Sequence, residues 1–292
     1  MGHVEVRFGK TQMTVVVSGA SGFIGRRVNH LADDEVVAIE HRWEGARHLR
    51  RRLPSRVDAC IHLAWTASTD DYLTSSSSNQ ASFDASLELV EVLSERGCGH
   101  LVVAGSCAEY DESEGILGED APLRADSPYA ELKMKLHRYL DEFAIPLAWT
   151  RLFGIVGPGE AKNRLMPSVV RSLTAGRPIA LSPGDQVRDL IDVDDTARAL
   201  LALSRGRQVG VFNICRGEAV VLKSFLLLLA EVAQADPTLL QFGIRPYGPI
   251  DPMHVVGDPS RLLAAAPSWS PAFSTADIAA RIVGDVDRDQ GA

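Results

Sequence analysis

Tyr129 and Lys133 are the residues of this sequence whose types and spacing are best suited to chemistry. Because they are four positions apart in a predicted helix, their side chains stack one turn above another. A phenol with an ordinary pKa of about 10 is a poor acid or base at neutral pH, but a neighbouring ammonium stabilises the phenolate and lowers that pKa. A tyrosine tuned in this way can deliver a proton to a carbonyl oxygen while hydride reaches the carbon.

Ser106 is the third candidate, because it lies at the carboxyl end of a predicted strand. Its hydroxyl could donate a hydrogen bond to the same carbonyl oxygen as negative charge develops there. Each residue could also have a purely structural role. A Y-x-x-x-K string occurs by chance in many helices, and a serine at a strand end is even weaker evidence for catalysis. The argument for catalysis therefore depends on the glycine-rich fingerprint that precedes these residues in the chain.

That fingerprint is T-V-V-V-S-G-A-S-G-F-I-G, from Thr14 to Gly25. Its β-branched start predicts a strand buried on both faces. A sharp turn at Gly19, with no side chain at Gly22, would let a pyrophosphate approach the backbone N–H groups at the start of a helix, where the helix dipole favours an anion. The glycine spacing alone is weak evidence for dinucleotide binding, and the alternative is a strand-turn-helix unit that binds no ligand. Its position between a strand and a helix is the context that a dinucleotide-binding fingerprint requires.

Strand and helix patterns alternate five times along the first half of the chain and predict an α/β fold, a Rossmann-type doubly wound parallel sheet. Strands are expected at Thr14–Val17, Glu35–Ile39, Val57–Leu63, Leu101–Ala104, Leu147–Phe153 and Val211–Ile214, and helices at Ser86–Leu93, from Pro128, at Asp194–Ser204 and at Ser224–Ala233. The serine-rich segment Thr74–Ser78 is expected to be a loop. From Gly157 the elements become shorter and are separated by prolines, which predicts a smaller C-terminal lobe.

We therefore expect a dinucleotide-binding domain at residues 14–156 plus about 187–215, and a second lobe at residues 157–186 and 216–292. Residues 1–13 are expected to form an N-terminal tail, because they lack the apolar core of a secretory signal.

Composition excludes several classes of function. The net charge is −8, which argues against a nucleic-acid partner even though Arg47–Arg56 is locally basic. The sequence contains no run of eighteen apolar residues, so no membrane span is predicted. The cysteines lack C-x-x-C spacing and are expected to be reduced thiols of a cytoplasmic protein, and the histidines lack clustered spacing, which argues against a metal site. The cysteines are Cys60, Cys98, Cys107 and Cys215.

The end of the second strand bears on the choice between NAD and NADP. Glu40 lies about 20 residues beyond Gly19, where a carboxylate conventionally binds the adenosine ribose hydroxyls. An acid there favours NAD, whereas the nearby Arg42 could attract the 2′-phosphate of NADP. Both could also be ordinary loop charges, so the sequence leaves the choice open.

Taken together, the motifs of this chain resemble those of the extended short-chain dehydrogenase/reductase family, also described as NAD-dependent epimerases and dehydratases. They are G-A-S-G-F-I-G at Gly19–Gly25, H-L-A at His62–Ala64, S-C-A-E-Y at Ser106–Tyr110, Y-A-E-L-K at Tyr129–Lys133, R-L-F-G-I-V-G-P-G at Arg151–Gly159, V-R-D-L-I-D-V-D-D at Val187–Asp195, F-N-I-C-R-G-E at Phe212–Glu218 and W-S-P at Trp269–Pro271. The resemblance covers essentially residues 14–283. Members with this layout mostly act on nucleotide-linked sugars.

The resemblance implies a role for particular residues. It implies that Ser106, Tyr129 and Lys133 are catalytic. The implied cofactor-binding residues are Gly19, Gly22, Phe23, Ile24, Gly25, Glu40, Arg42, Leu63, Ala64, Tyr129, Lys133, Leu152 and Phe153, and the implied substrate-binding residues are Thr66, Ser106 and Arg188. The resemblance also implies a second lobe that binds the sugar nucleotide, and a homodimer.

Arg188 would hold the diphosphate of the sugar nucleotide, a task that suits a guanidinium. A salt bridge to Asp189 or Asp192 is its structural alternative. Two positions depart from the family pattern: the asparagine usual in the helix before the serine strand is replaced near Ser82, and the polar residue expected after the Phe212–Glu218 motif is Val221.

The residues after Ser106 narrow the reaction. In sugar 4,6-dehydratases of this family an Asp and a Glu follow the hydroxyl residue, whereas here Cys107 and Ala108 do. Without that pair, dehydration has no evident proton shuttle. Epimerase-reductases similar to the GDP-fucose synthase type place a cysteine and a histidine at the positions of Ala108 and Gly159. Cys107 is one residue off and is expected to be structural.

With dehydration and double epimerisation disfavoured, the sequence favours hydride and proton transfer at a single carbonyl carbon. The resemblance therefore implies reduction by NAD(P)H of a nucleotide-linked 4-keto-6-deoxyhexose, preferably dTDP-linked, to the 4-hydroxy sugar. A nucleotide-sugar 4-epimerase that retains its NAD is the rival enzyme, since it needs the same three residues. A non-catalytic protein that senses a dinucleotide is the alternative from another class.

Overall fold

A computed structural model describes residues 12–39, 45–66, 71–111, 115–248 and 250–290. Its strands are β1 (Thr14–Ser18), β2 (Glu35–Ile39), β3 (Ala59–His62), β4 (Leu101–Ser106), β5 (Ile116–Leu117), β6 (Leu147–Leu152), β7 (Gly154–Val156), β8 (Ile179–Ala180), β9 (Val187–Arg188), β10 (Leu190–Asp192), β11 (Gly210–Ile214), β12 (Val220–Val221), β13 (Leu240–Gln241) and β14 (His254–Gly257). Its helices are α1 (Phe23–Leu31), α2 (Ala46–Arg52), α3 (Ser76–Glu95), α4 (Pro128–Asp141), α5 (Leu165–Thr174), α6 (Val193–Gly206), α7 (Leu222–Val232), α8 (Ser260–Ala265) and α9 (Thr275–Gln290).

The central sheet has the order β11-β6-β4-β3-β1-β2. Each neighbouring pair is parallel. Val15, Val16 and Val17 of β1 are fully buried, because helices cover both faces of the sheet. The strand order reverses between β1 and β3, and in open α/β sheets ligands bind beyond the carboxyl ends of the strands at such a point. The predicted Rossmann-like fold is confirmed.

The two faces of the sheet are covered by different helices. One buried cluster contains Leu89 and Leu93 of α3 with Leu136 and Leu140 of α4. The cluster on the other side contains Val28 of α1, together with buried leucines of α6 and α8. Two apolar layers therefore enclose the sheet and fix the positions of its strand ends.

The remaining elements form a third apolar cluster, from α5, α7 and α9. A separate four-stranded sheet has the order β12-β9-β14-β5, and in it β12 runs antiparallel to β9. The division into residues 14–156 plus about 187–215 and residues 157–186 plus 216–292 stays a prediction. Within the described parts of the chain, no helix is long and apolar enough to cross a membrane.

The expectation of a loop at Thr74–Ser78 is wrong in part, because α3 already begins at Ser76. The first half of α3 buries the polar side chains of Asn79 and Ser82 beside one large apolar side chain, Phe83, and the buried Ser86 follows one turn later. Ser82 Oγ donates to the Ser78 carbonyl, and Ser86 Oγ donates to the Ser82 carbonyl. The helix therefore lacks the apolar period that would have revealed its first two turns.

Gly25 and Gly284 provide a matched pair of helical glycines for testing the close packing of α1. A Cβ at Gly25 would lie 2.1 Å from the Gly19 carbonyl oxygen, whereas a Cβ at Gly284 in α9 would meet nothing within 4 Å. We expect Gly25→Ala to lower the free energy of unfolding by about 1–3 kcal/mol. Gly284→Ala should raise it by about 0.5–1 kcal/mol, because alanine favours the helix. Urea denaturation measures both, and a stable Gly25→Ala protein would contradict the packing described for α1.

Candidate active site

The glycine-rich turn after β1 forms an open backbone cradle. Gly19 has a φ of +71°, which favours glycine, and its N–H donates to the Ile39 carbonyl at 3.0 Å. Gly22 is the N-cap of α1, so Phe23 and Ile24 are the first helical residues. A Cβ at Gly19 would lie 2.8 Å from the Ala64 backbone nitrogen. A side chain therefore has no room at Gly19, and the N-cap position Gly22 carries none, which leaves the backbone at the N-terminus of α1 suited to a pyrophosphate.

Other predicted cofactor residues lie at the same edge of the sheet. Leu63 and Ala64 follow β3, and the Leu63 N–H donates to the Ser18 carbonyl at the end of β1. Leu152 ends β6 and is paired in register with Ser106 at the end of β4, and Phe153 follows Leu152. The structure thus brings these strand ends together. The other two predicted residues, Glu40 and Arg42, lie outside the described part of the chain.

Tyr129 is held in the first turn of α4. Ser127 caps this helix by accepting a hydrogen bond from the Ala130 N–H at 3.1 Å, and Pro128 occupies its first position, as predicted. The Tyr129 phenol is buried, and its interaction with the Ser106 side chain favours the ionised form of the phenol. The structure therefore joins two of the three predicted catalytic side chains.

The pKa of Tyr129 differs from the expectation. Burial raises this pKa and the neighbouring Tyr72 raises it further, while the hydrogen bond with Ser106 opposes them. The predicted lowering by Lys133 is not seen in the protein alone, because the phenol is removed from water and the Lys133 ammonium is directed elsewhere. A neutral phenol at physiological pH is equipped to donate a proton rather than to accept one.

Lys133 is only 4% exposed. Its Nζ donates a hydrogen bond to the Ala104 carbonyl at 2.6 Å. The same Nζ lies 3.9 Å from the centroid of the Trp65 ring and 5.8 Å from the centroid of the Tyr129 ring. Burial lowers the pKa of Lys133 to about 7, and the carboxylate of Glu109 opposes this change. The ammonium is therefore close to losing its proton at neutral pH.

A buried carboxylate, which the sequence analysis did not single out, supports Ser106, the predicted catalytic serine. Glu109 is fully buried and accepts the Ser106 N–H at 2.8 Å, the Trp149 indole N–H at 3.0 Å and the Arg151 Nε–H at 3.1 Å. Burial raises the pKa of Glu109, and Arg151 opposes that effect. Arg151 also donates to the hydroxyl of Tyr110 at 3.0 Å. Glu109 and Arg151 both lie in quoted motifs, but motifs do not show which residues pair.

Arg188 lies in β9 and donates to Asp251 Oδ1 at 2.6 Å. The predicted alternative, a salt bridge to Asp189 or Asp192, is wrong about the partner. Asp189 instead accepts the backbone N–H groups of residues 216 and 217, and Asp192 caps α6 and pairs with Arg281. These carboxylates hold the backbone, and Arg188 is directed to another carboxylate.

Residues 15–215 match the sequence model of the NAD dependent epimerase/dehydratase family. The chain belongs to this family. The GDP-6-deoxy-D-mannose reductase of Pseudomonas aeruginosa is 27% identical over 249 residues, 77% of this chain and 82% of the relative. The dTDP-6-deoxy-L-talose 4-dehydrogenase (NAD(+)) of Aggregatibacter actinomycetemcomitans is 22% identical over 239 residues, 73% of this chain and 87% of the relative. The structure of RMD from Pseudomonas aeruginosa complexed with NADPH has a TM-score of 0.84 at 22% identity, covering 95% of this chain and 100% of that one.

Two residues of the family motifs have structural surroundings that fit a packing role. The two ring nitrogens of His62 hydrogen-bond with Ser18 Oγ at 2.6 Å and with Ser86 Oγ at 2.8 Å. Burial and, to a smaller extent, the charge of Lys133 lower the pKa of His62 to about 3. His62 is therefore neutral and links β1, β3 and α3. Burial raises the pKa of the Cys107 thiol to about 12, while Arg188 opposes the change. A thiol in this state is not a nucleophile at neutral pH.

Thr66, a predicted substrate residue, follows β3 directly after the strand-end residues. Its backbone N–H donates to Ser82 Oγ at 3.1 Å. Ser82, near which the usual asparagine of the family is expected to be replaced, therefore holds the Thr66 backbone from α3. The role of Thr66 toward a substrate stays a prediction.

The lowered pKa of Lys133 implies a pH-dependent effect on stability. The ordinary value is 10.5 and the folded value is about 7. Between these values the unfolded chain binds more protons, so this group makes stability rise with pH, and its destabilising effect is complete below pH 7. We expect Lys133→Met to raise the free energy of unfolding by about 1–3 kcal/mol at pH 6 and by less at pH 9.5. Urea denaturation at several pH values measures the effect.

Lys135→Met is the control, because Lys135 is exposed on the same helix. The free energy of unfolding of Lys135→Met should not show an increase over the wild type that becomes smaller as the pH rises. A gain for Lys133→Met that is equal at pH 6 and pH 9.5 would contradict burial of the charge as its cause.

Proposed function

We propose that this protein reduces a nucleotide-linked 4-keto-6-deoxyhexose, preferably dTDP-linked, to the 4-hydroxy sugar, with NADH or NADPH as reductant. The contact between the Ser106 hydroxyl and the buried, protonated Tyr129 phenol carries the proposal. The glycine cradle at the same sheet edge supports it. So do two relatives named as a reductase and a 4-dehydrogenase of 6-deoxyhexose nucleotides.

The residues present fit a dinucleotide. Side chains at Gly19 and Gly25 would collide with backbone, so both positions keep the N-terminus of α1 open to a pyrophosphate. Leu63, Ala64, Leu152 and Phe153 line the strand ends along which the rest of the cofactor would extend. The proposal includes both cofactors, since Glu40 and Arg42 would decide between them.

When bound, the reduced nicotinamide supplies the hydride to the keto carbon. The Tyr129 hydroxyl gives its proton to the keto oxygen, so the C=O bond becomes an alcohol and tyrosine becomes a phenolate that water then reprotonates. Ser106 donates a hydrogen bond to the same oxygen as its charge grows. The Lys133 ammonium stabilises the phenolate, because an opposite charge nearby favours the ionised form.

The side chains around these residues also bear on the reaction class. Cys107 and Ala108 occupy the positions where dehydratases of the family carry an Asp and a Glu, and neither can act as a general acid or base here. We propose that Arg188, in β9, binds the diphosphate and that the sugar extends from there toward Tyr129.

Oxidation of NADPH and NADH, followed with a panel of nucleotide-linked 4-ketosugars, tests the proposed function. We expect Tyr129→Phe to lower kcat by about 10²- to 10⁴-fold, because the proton donor is lost, while the cofactor Kd changes little. Tyr139→Phe, on the same helix and packed against Phe143, is the control and should keep wild-type activity. Full activity in Tyr129→Phe would overturn the assignment. A tightly retained cofactor with no net oxidation during turnover would indicate an epimerase instead.

Arg188→Met tests the diphosphate site. Loss of a charge-assisted hydrogen bond of about 1.5–3 kcal/mol should raise KM for the sugar nucleotide about 10- to 100-fold. The value of kcat should change much less, because the diphosphate is remote from the reacting carbon. Arg205→Met, which removes an exposed pair with Asp34 at the end of α6, is the control. An unchanged KM in Arg188→Met would assign the diphosphate to another residue.

A further inference from the structure

Trp65 covers the ammonium of Lys133. The Lys133 Nζ lies 3.9 Å from the centroid of the Trp65 ring, well within the distance at which an aromatic face attracts a cation. Trp65 also meets the Tyr129 ring edge-on, with centroids 6.2 Å apart and an interplanar angle of 87°. The indole thus contacts both residues of the proton-transfer pair.

A buried amide fixes the orientation of this indole. The Trp65 Nε1–H donates to Asn79 Oδ1 at 2.7 Å. Asn79 is fully buried, and its Nδ2 donates to the Tyr72 carbonyl at 2.6 Å and to the Ser75 carbonyl at 2.9 Å. Because both amide hydrogens are used, the amide is anchored and its oxygen points at the indole.

The electrostatic surroundings of Lys133 show why such a contact matters. Burial strongly disfavours the ammonium, and the Glu109 carboxylate favours it. His62, the other titratable group from a neighbouring strand, is neutral, and Tyr129 on the same helix is protonated. The negative face of the indole is therefore a second source of attraction for the charge, and it excludes water from it.

We propose that Trp65, oriented by Asn79, is a positioning residue that keeps Lys133 in its ammonium form and next to Tyr129. This inference rests on the proposed function only in that Lys133 then assists proton transfer. Its physical content concerns the charge on Lys133 and is testable without a substrate. Packing alone is the competing account of the same contact.

The first test measures the charge directly in the full-length protein. The midpoint of the Lys133 ¹³Cε shift in an NMR pH titration, assigned by comparison with Lys133→Met, reports its ionisation. We expect Trp65→Leu to move the midpoint about 0.5–1 pH unit lower, because an attraction to the charged form is lost. Trp65→Phe keeps an aromatic face and should move it less than half as far. Asn79→Leu should give a shift in the same direction, since the indole loses its anchor.

Phe83→Leu is the matched control. It removes a buried ring that lies 4.9 Å from the Lys135 ammonium, so it tests the loss of a packed aromatic side chain beside a different lysine of α4. We expect it to leave the Lys133 midpoint unchanged. An unchanged midpoint in Trp65→Leu and in Trp65→Phe would overturn the proposal, as would an equal shift in Phe83→Leu.

The second test uses turnover. If Lys133 must be charged, the basic limb of the kcat/KM profile should move to lower pH in Trp65→Leu by the amount seen in the titration. A uniform loss at every pH would indicate packing alone and would contradict the proposal. Absence of 4-ketosugar reduction in the wild-type protein would refute the proposed function, while the NMR titration would still decide the role of Trp65.

Discussion

The catalytic edge of the sheet depends on the buried carboxylate of Glu109. A charge with no exposed surface is tolerable only when it is paired and hydrogen-bonded, and Glu109 receives donors from three residues, Ser106, Trp149 and Arg151. These donors lie on β4 and β6, so the carboxylate ties the two central strands together at their carboxyl ends. Breaking such a buried pair typically costs about 3–5 kcal/mol, because the remaining charge loses its partner. The position of Ser106 is thus fixed by electrostatics as well as by the sheet ladder.

Burial favours the neutral form of both members of the proposed proton-transfer pair, Tyr129 and Lys133. It raises the pKa of Tyr129 and lowers that of Lys133, so each is displaced toward its neutral form. The protein alone therefore holds the phenol proton and keeps the ammonium only by favourable contacts. Such an arrangement suits the proton donor of the proposed reduction, which must carry its proton before the substrate binds. It also explains why aromatic and carboxylate neighbours surround Lys133 where water is excluded.

Local patterns predicted much of the fold, and long-range pairing limited the rest. The β-branched run of β1 and the start of α4 at Pro128 carry their structural reasons in adjacent residues, so both were predicted. The first turns of α3 were missed because their buried face is polar. The partner of Arg188 could not be predicted, since Asp251 is remote in sequence and only the folding of β9 beside β14 brings them together. For the same reason, the Glu109 network could not be predicted, although Ser106, Glu109 and Arg151 lay in recognised motifs.

The four-stranded sheet that contains Arg188 has a consequence for how the chain is made. Its strand β9 lies between β12 and β14, and β14 also pairs with β5, which begins at Ile116. During synthesis from the N-terminus, the six-strand core can collapse once β11 has emerged, but β9 has a strand beside it only after residues 220–257 are available. Contacts so distant in sequence close slowly. The half of the proposed site that would hold the diphosphate is therefore assembled after the six-stranded core.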